Sequence, residues 1–213
     1  RCTGRAACLA CAVVPHPTRH PSSFMLGAFL VSLGVVAVGE IGDKTQLLSL
    51  LLAARYRRPW PIVAGIVVAT LFNHSLAGLV GAWLRHHLDA QVLRWLVAAA
   101  FLVVAVWTLR PDRLDNDAAT KSHFNVFVVT VIAFFLAEMG DKTQIATALL
   151  AARYDSLVAV VAGTTLGMLI ADVPVVFLGN VAAHRIPFRA LRIVAAILFA
   201  SLGVWAIFAP APV

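Results

Sequence analysis

The sequence predicts an all-α membrane protein of six transmembrane helices, arranged as two inverted three-helix repeats. Three observations carry that expectation. Of 213 residues, 61% are hydrophobic and only 13% charged, whereas ordinary soluble domains carry about a quarter charged residues. Several apolar segments reach the roughly 20 residues that a helix needs to cross a bilayer. Finally, Gly39-Glu40-Ile41-Gly42-Asp43-Lys44-Thr45-Gln46 returns almost letter for letter as Ala137-Glu138-Met139-Gly140-Asp141-Lys142-Thr143-Gln144, each copy set in an apolar segment.

The formal net charge of +7 at first suggests a nucleic-acid partner. The arginines, however, sit at the edges of apolar segments, where they meet lipid headgroups and set orientation, so no nucleic acid is expected. The acids are more telling. Of ten Asp and Glu, five (Glu40, Asp43, Glu138, Asp141 and Asp172) fall inside apolar spans, where an ionised group costs about 3 kcal/mol or more. All three cysteines (Cys2, Cys8, Cys11) precede the first span, which leaves no disulfide framework or thiolate site in the bundle. Cys8-x-x-Cys11 with His16 and His20 imitates a zinc pattern, but nothing foldable surrounds it.

Residues 1–23 read as a disordered tail or a mis-assigned start, with Met25 the expected natural beginning. The first repeat covers 24–109. Its first span, Phe24 to Ala54, exceeds the bilayer thickness and is expected to tilt, to break at Gly39/Gly42, or to extend beyond the membrane. Arg55 to Pro61 forms a basic, aromatic and proline-rich stop. Ile62 to Leu84 is the second span, with Asn73-His74 near its middle, and Val92 to Leu109 the third. A polar connector, 110–123, is expected on the cytoplasmic side. The second repeat, 124–209, contains spans Asn125 to Ala152, Leu157 to Ala183 and Phe188 to Phe208.

A constant register of 98 residues relates the halves. It joins Glu40 to Glu138, Arg55-Tyr56 to Arg153-Tyr154, Val63-Ala64-Gly65 to Val161-Ala162-Gly163, and Trp107 to Trp205. One offset fitting three successive spans means a duplicated three-helix unit without gaps. Three is odd, so the second unit enters the membrane from the opposite side, the layout by which many secondary transporters build a midplane site. Arg55, Arg57, Arg58, Arg110, Arg113, Lys121, Arg185, Arg189 and Arg192 gather on one side, against Arg85, Arg94 and Arg153 on the other. The first side is expected to be cytoplasmic, with both termini outside.

On a continuous helix Glu40, Asp43 and Lys44 would share a face, as would Glu138, Asp141 and Lys142. Brought together, the two motifs hold four carboxylates and two ammoniums, leaving two negative charges for one divalent cation or two protons to balance. Carboxylates, the Thr45 and Thr143 hydroxyls and the Gln46 and Gln144 amides form a hard oxygen set, which suits Ca²⁺ or Mn²⁺ and disfavours copper and zinc. Lys44 and Lys142 are read as counter-ions, and the two glutamines as ligands or as interhelical hydrogen-bonding groups. His74, with Asn73 beside it, offers a secondary ligand or a satisfied interhelical histidine. Asp172 stands where His74 stands in the first half, either as a proton relay or as a partner for one of the lysines. No enzyme is expected. Gly39-Glu40-Ile41-Gly42-Asp43 departs from the Gly-x-Gly-Asp of intramembrane aspartyl proteases, and there is no Ser/His/Asp set or phosphate loop.

Two copies of Glu-x-Gly-Asp-Lys/Arg-Thr/Ser, each in the first span of a three-helix half, resemble the second calcium:cation antiporter family. That family includes Golgi calcium/manganese–proton exchangers, chloroplast manganese transporters and bacterial manganese exporters of the MneA type. The resemblance covers Met25 to Phe208, and both copies match without substitution. It implies a secondary transporter in which Glu40, Asp43, Glu138 and Asp141 bind the metal and carry protons in exchange. The short connector resembles bacterial members, implying a multi-pass protein of the bacterial inner membrane that expels Mn²⁺, with Ca²⁺ as the other candidate. The metal is substrate, and no cofactor is expected. The partners are the divalent cation, protons and lipid, with self-association left open. Two alternatives stand beside this reading: an exporter of another small cationic solute, and a non-transporting membrane assembly factor.

Overall fold

The computed structural model describes residues 21–110, 125–178 and 188–208, so the tail, most of the connector and the end of the fifth span lie outside the described residues. Eight α-helices and no strand are found among them: α1 (Pro21–Glu40), α2 (Lys44–Tyr56), α3 (Pro59–His87), α4 (Ala90–Thr108), α5 (Val126–Glu138), α6 (Lys142–Arg153), α7 (Leu157–Leu178) and α8 (Phe188–Phe208). Helices α3, α4 and α7 are each long and apolar enough to cross a membrane, and α1 and α2, bent by 69° at their break, reach that length and apolarity only when taken as one pair. Helix α5 and the Arg192–Phe208 part of α8 are apolar but shorter.

Local chemistry sets the ends. Pro59 opens α3, where its missing N–H has no intrahelical partner to lose. Asp89 caps α4 by accepting from the Gln91 N–H at 2.8 Å, and Asn125 caps α5 by accepting from Phe127 N–H at 3.2 Å. The first and fourth predicted spans are each cut in two. Residues 41–43 and 139–141 are not helical, because Gly42 (φ 84°) and Gly140 (φ 74°) take the left-handed conformation that glycine adopts without penalty. The expected shared helical face of Glu40, Asp43 and Lys44, and of its repeat, is therefore corrected. The glutamates end one helix, and each aspartate–lysine pair starts the next.

The halves interlock. Helix α1 packs along α7 and α5 along α3, the same relation with the halves exchanged, while α4 packs on α8 and α3 on α7. Backbones approach closely at matched positions. A Cβ on Gly163 would lie 2.5 Å from the Phe29 carbonyl of α1, and one on Gly65 would lie 2.6 Å from Thr130 Cβ of α5. One apolar cluster joins Val35, Val97, Phe101, Leu149 and Phe199, and another joins Val36, Leu52, Ile66, Phe134 and Met168. Large apolar side chains such as Phe72, Leu79, Trp83 and Val103 point outward, whereas Glu40, Asp43, Glu138 and Asp172 are wholly buried. That is the distribution of a protein solvated by lipid, with its polar groups turned inward.

Gly163→Ala should force α1 from α7 and cost about 1–3 kcal/mol. Gly34→Ala, where nothing stands within 4 Å of the added Cβ, should be neutral or stabilising by up to about 1 kcal/mol. Thermal unfolding of the two variants in detergent checks the contrast.

Candidate metal centre

At each break the chain uses the same devices. Asp43 and Asp141 hold the N-cap positions of α2 and α6 in extended conformation (φ −85°, ψ 171° and φ −80°, ψ 164°), and neither makes a side-chain capping bond. Their carboxylates still gain from the positive ends of the helix dipoles. The turn is closed instead by a glutamine four residues beyond the glycine. Gln46 Oε1 accepts from the Gly42 N–H at 2.9 Å, and Gln144 Oε1 from the Gly140 N–H at 2.7 Å. This gives both amide oxygens a local structural task at the break. Gln46 also donates from Nε2 to the Ala171 carbonyl of α7 at 3.2 Å.

The released carboxylates cross between the halves. Lys142 Nζ stands 2.5 Å from Asp43 Oδ1, and Lys44 Nζ stands 3.2 Å from Asp141 Oδ1. The 98-residue register turns one pair into the other, so each half supplies the counter-ion of its counterpart. The pairs are unequal in burial: the Lys142 side chain is 3% exposed and that of Lys44 24%. Lys44 thus pairs with a carboxylate of the other motif and not of its own.

Carboxylate oxygens of Glu40, Asp43 and Asp141 all lie within 4.8 Å of one another. The Thr45 hydroxyl donates to Glu40 Oε1, and Thr143 Oγ1 donates to Asp141 Oδ2 at 3.4 Å. Glu138 stands outside this trio. Its Oε1 accepts from Thr70 Oγ1 at 2.9 Å and its Oε2 from Asn73 Nδ2 at 3.1 Å, both donors lying on α3 of the other half. Asn73 is thus occupied with Glu138 and, through the same Nδ2, with the Phe135 carbonyl at 3.1 Å. Asp172 accepts from Ser49 Oγ of α2 at 3.1 Å and forms no ion pair with either lysine among the described residues. His74 is fully buried with no hydrogen-bond partner on either ring nitrogen among the described residues, so the satisfied interhelical histidine is not what is found. Glu40 Oε2 and Asp172 Oδ2 are buried and unpartnered in the same way.

Two contributors escaped the sequence reading, Ser49 and Thr70. Thr70 could have been found: with Asn73 it forms an i, i+3 polar pair on an apolar helix, matched in the second half only by Met168 and Ala171. Three acidic oxygens at two helix breaks, fed by one helix N-terminus from each half, can exchange a cation against the ammoniums or against protons.

Comparison with known proteins identifies the family. The family described as "Divalent cation/proton antiporter GDT1" matches residues 28–116 and 126–211. A Vibrio cholerae protein named "Putative manganese exporter" is 49% identical over 186 residues, covering 87% of this chain and 90% of its own. A GDT1-like protein of Synechocystis is 30% identical over 196 residues, covering 82% and 94%. The "Divalent cation/proton antiporter GDT1" of Saccharomyces cerevisiae is 23% identical over 232 residues, covering 84% and 82%. No solved structure matches the chain. With both motif copies inside the matched ranges, the chain belongs to the GDT1 family of divalent cation/proton antiporters.

Proposed function

We propose that the protein expels Mn²⁺ from the cytoplasm in exchange for protons across the bacterial inner membrane, with Ca²⁺ as a second substrate. The observation that carries this reading is the gathering of Glu40, Asp43 and Asp141 oxygens within 4.8 Å. Calcium–oxygen bonds run about 2.3–2.6 Å, so oxygens on opposite sides of one ion stand about 5 Å apart. The trio already has the size of a hard-cation shell. Glu138, Thr45 and Thr143 stand close enough in the chain to complete it, and the C-terminal end of α1 turns its carbonyl dipoles toward the same break. His74, buried beside Asn73, would add a nitrogen that favours Mn²⁺ over Ca²⁺. The Vibrio cholerae relative's name supports manganese, and the yeast relative's supports proton exchange.

The exchange follows from competition for the same oxygens. Lys142 and Lys44 pair with Asp43 and Asp141. An arriving divalent ion displaces the ammoniums from these oxygens, and protonation of the carboxylates removes the charge that retains the ion. Asp172, tied to α2 through Ser49, is well placed to pass the proton on. No bond is made or broken in a substrate beyond coordination and proton transfer, which is the work of a transporter and not of an enzyme.

A six-span inverted repeat is the architecture that supports this cycle. In it α1–α2 and α5–α6 form the two broken spans, and α3, α4, α7 and α8 the other four. The reciprocal packing of α1 on α7 and α5 on α3, the paired breaks and the paired glycines all fit that arrangement. So does the meeting of Arg85, at the end of α3, with Asp155 at the start of α7 at 2.9 Å, which brings opposite ends of equivalent helices to one side. Rocking one half against the other would break and remake the crossed pairs.

Cells lacking the protein should become hypersensitive to Mn²⁺, and Asp43→Asn or Asp141→Asn should fail to restore growth; full rescue by both would remove the metal site. In everted vesicles, Mn²⁺ uptake should release protons from the lumen. The half-saturating Mn²⁺ concentration should rise as the bath is acidified, since protons and metal compete for the same carboxylates. Uptake with no pH response would exclude exchange.

A further inference from the structure

At the corner where α2 gives way to α3 lies a cavity of about 410 Å³. Ala53, Ala54, Pro59, Val176 and Phe177 make its apolar wall, and Arg57 and Arg58 make its charged lip. Both arginines are exposed, and among the described residues neither meets a carboxylate. Arg57 is the one non-glycine residue with positive φ among the described residues (φ 50°), held there by its N–H donating to the Ala53 carbonyl at 3.0 Å. The corner thus fixes a left-handed residue that turns the chain sharply and leaves two guanidiniums side by side. Next to them Trp60, 73% exposed, meets the Phe177 ring edge-on at 5.5 Å. A tryptophan at the end of an apolar helix marks the headgroup level of a bilayer.

The molecule contains its own comparison. The equivalent corner, 98 residues on, reads Tyr154-Asp155-Ser156 where the first reads Tyr56-Arg57-Arg58. There Arg85, from the end of α3, reaches across to Asp155 Oδ1 at 2.9 Å and to the Tyr154 carbonyl at 2.5 Å. The second corner is therefore closed by a protein cation on a protein anion. In the first, the charges are reversed, and the sequence position matching Arg85 is Ala183. Among the described residues, one corner is closed by an internal ion pair, and the other presents two cations beside a half-apolar cavity.

We propose that this cavity binds the headgroup of an anionic phospholipid. The phosphodiester sits on Arg57 and Arg58, and the glycerol and first methylenes lie against Val176 and Phe177. Guanidinium forks suit phosphate oxygens, and both the negative leaflet and the start of α3 favour an anion there. The site touches the transport machinery through α2 and α7. Gln46 and Ser49 already tie α2 to Ala171 and Asp172 of α7. A lipid bridging the α2–α3 corner and the end of α7 adds a tie at the far end of the same two helices.

Native mass spectrometry of the full chain, offered phosphatidylglycerol and phosphatidylcholine in equal amounts, tests this. The wild type should retain phosphatidylglycerol preferentially and gain thermal stability from it. Arg57→Gln with Arg58→Gln should lose both effects. Arg110→Gln with Arg113→Gln, which removes the same charge from another basic stretch, should keep them. Equal retention by the wild type and the Arg57/Arg58 variant would overturn the proposal. An equal stabilisation of the wild type by inorganic phosphate alone would overturn the lipid assignment in favour of a soluble anion.

Discussion

The structure depends on two ion pairs that cross between its halves, one buried and one partly exposed at its lysine. Lys142 with Asp43, and Lys44 with Asp141, bring into the interior charges that no bilayer would accept singly. Each ion gives up several kcal/mol of hydration, and only a close partner with further hydrogen bonds compensates that loss. Because each aspartate finds its lysine in the other half, neither half can satisfy its own motif. The crossed charges therefore act as a lock between the halves. A pair of this kind contributes little net stability relative to an apolar core, but leaving one member alone is costly.

The helix breaks make the crossing possible. An uninterrupted helix would place Glu40, Asp43 and Lys44 on one face and let them satisfy one another. Left-handed Gly42 and Gly140 instead send each aspartate to a helix start, while a glutamine oxygen accepts the glycine N–H and closes the turn. The same arrangement turns the C-terminal end of α1 and the N-terminal end of α2 toward one point. Opposed dipoles at a broken span let a site hold anions in place and still welcome a cation.

The duplicated motif, the extents of the third and sixth spans and the identity of the buried acids were legible in the sequence, since all three follow from local pattern. The breaks in the first and fourth spans were not fixed by it. The third predicted span, Val92 to Leu109, differs from α4 by a residue or two, and the sixth coincides with α8. The pairing of charges was not legible. Asp43 and Lys142 are 99 residues apart, and helical periodicity, which assumes an unbroken helix, pointed to partners within one motif. The unlike surroundings of the two glutamates were partly legible. Thr70 and Asn73 stand opposite Glu138, whereas Met168 and Ala171 occupy the matching positions in the second half, so the copies differ where they meet their neighbours. The repeat gives the site its frame, and these departures give its two sides unlike hydrogen-bonding surroundings.

A double-mutant cycle on the crossed pair tests the central claim most directly, read by unfolding of the protein in detergent. Lys142→Met or Asp43→Asn alone should each cost about 3–5 kcal/mol, because each strands a buried polar or charged partner. Combined, they should cost much less than the sum, because the two changes remove one shared interaction. Additive losses for Asp43→Asn with Lys142→Met would contradict the account.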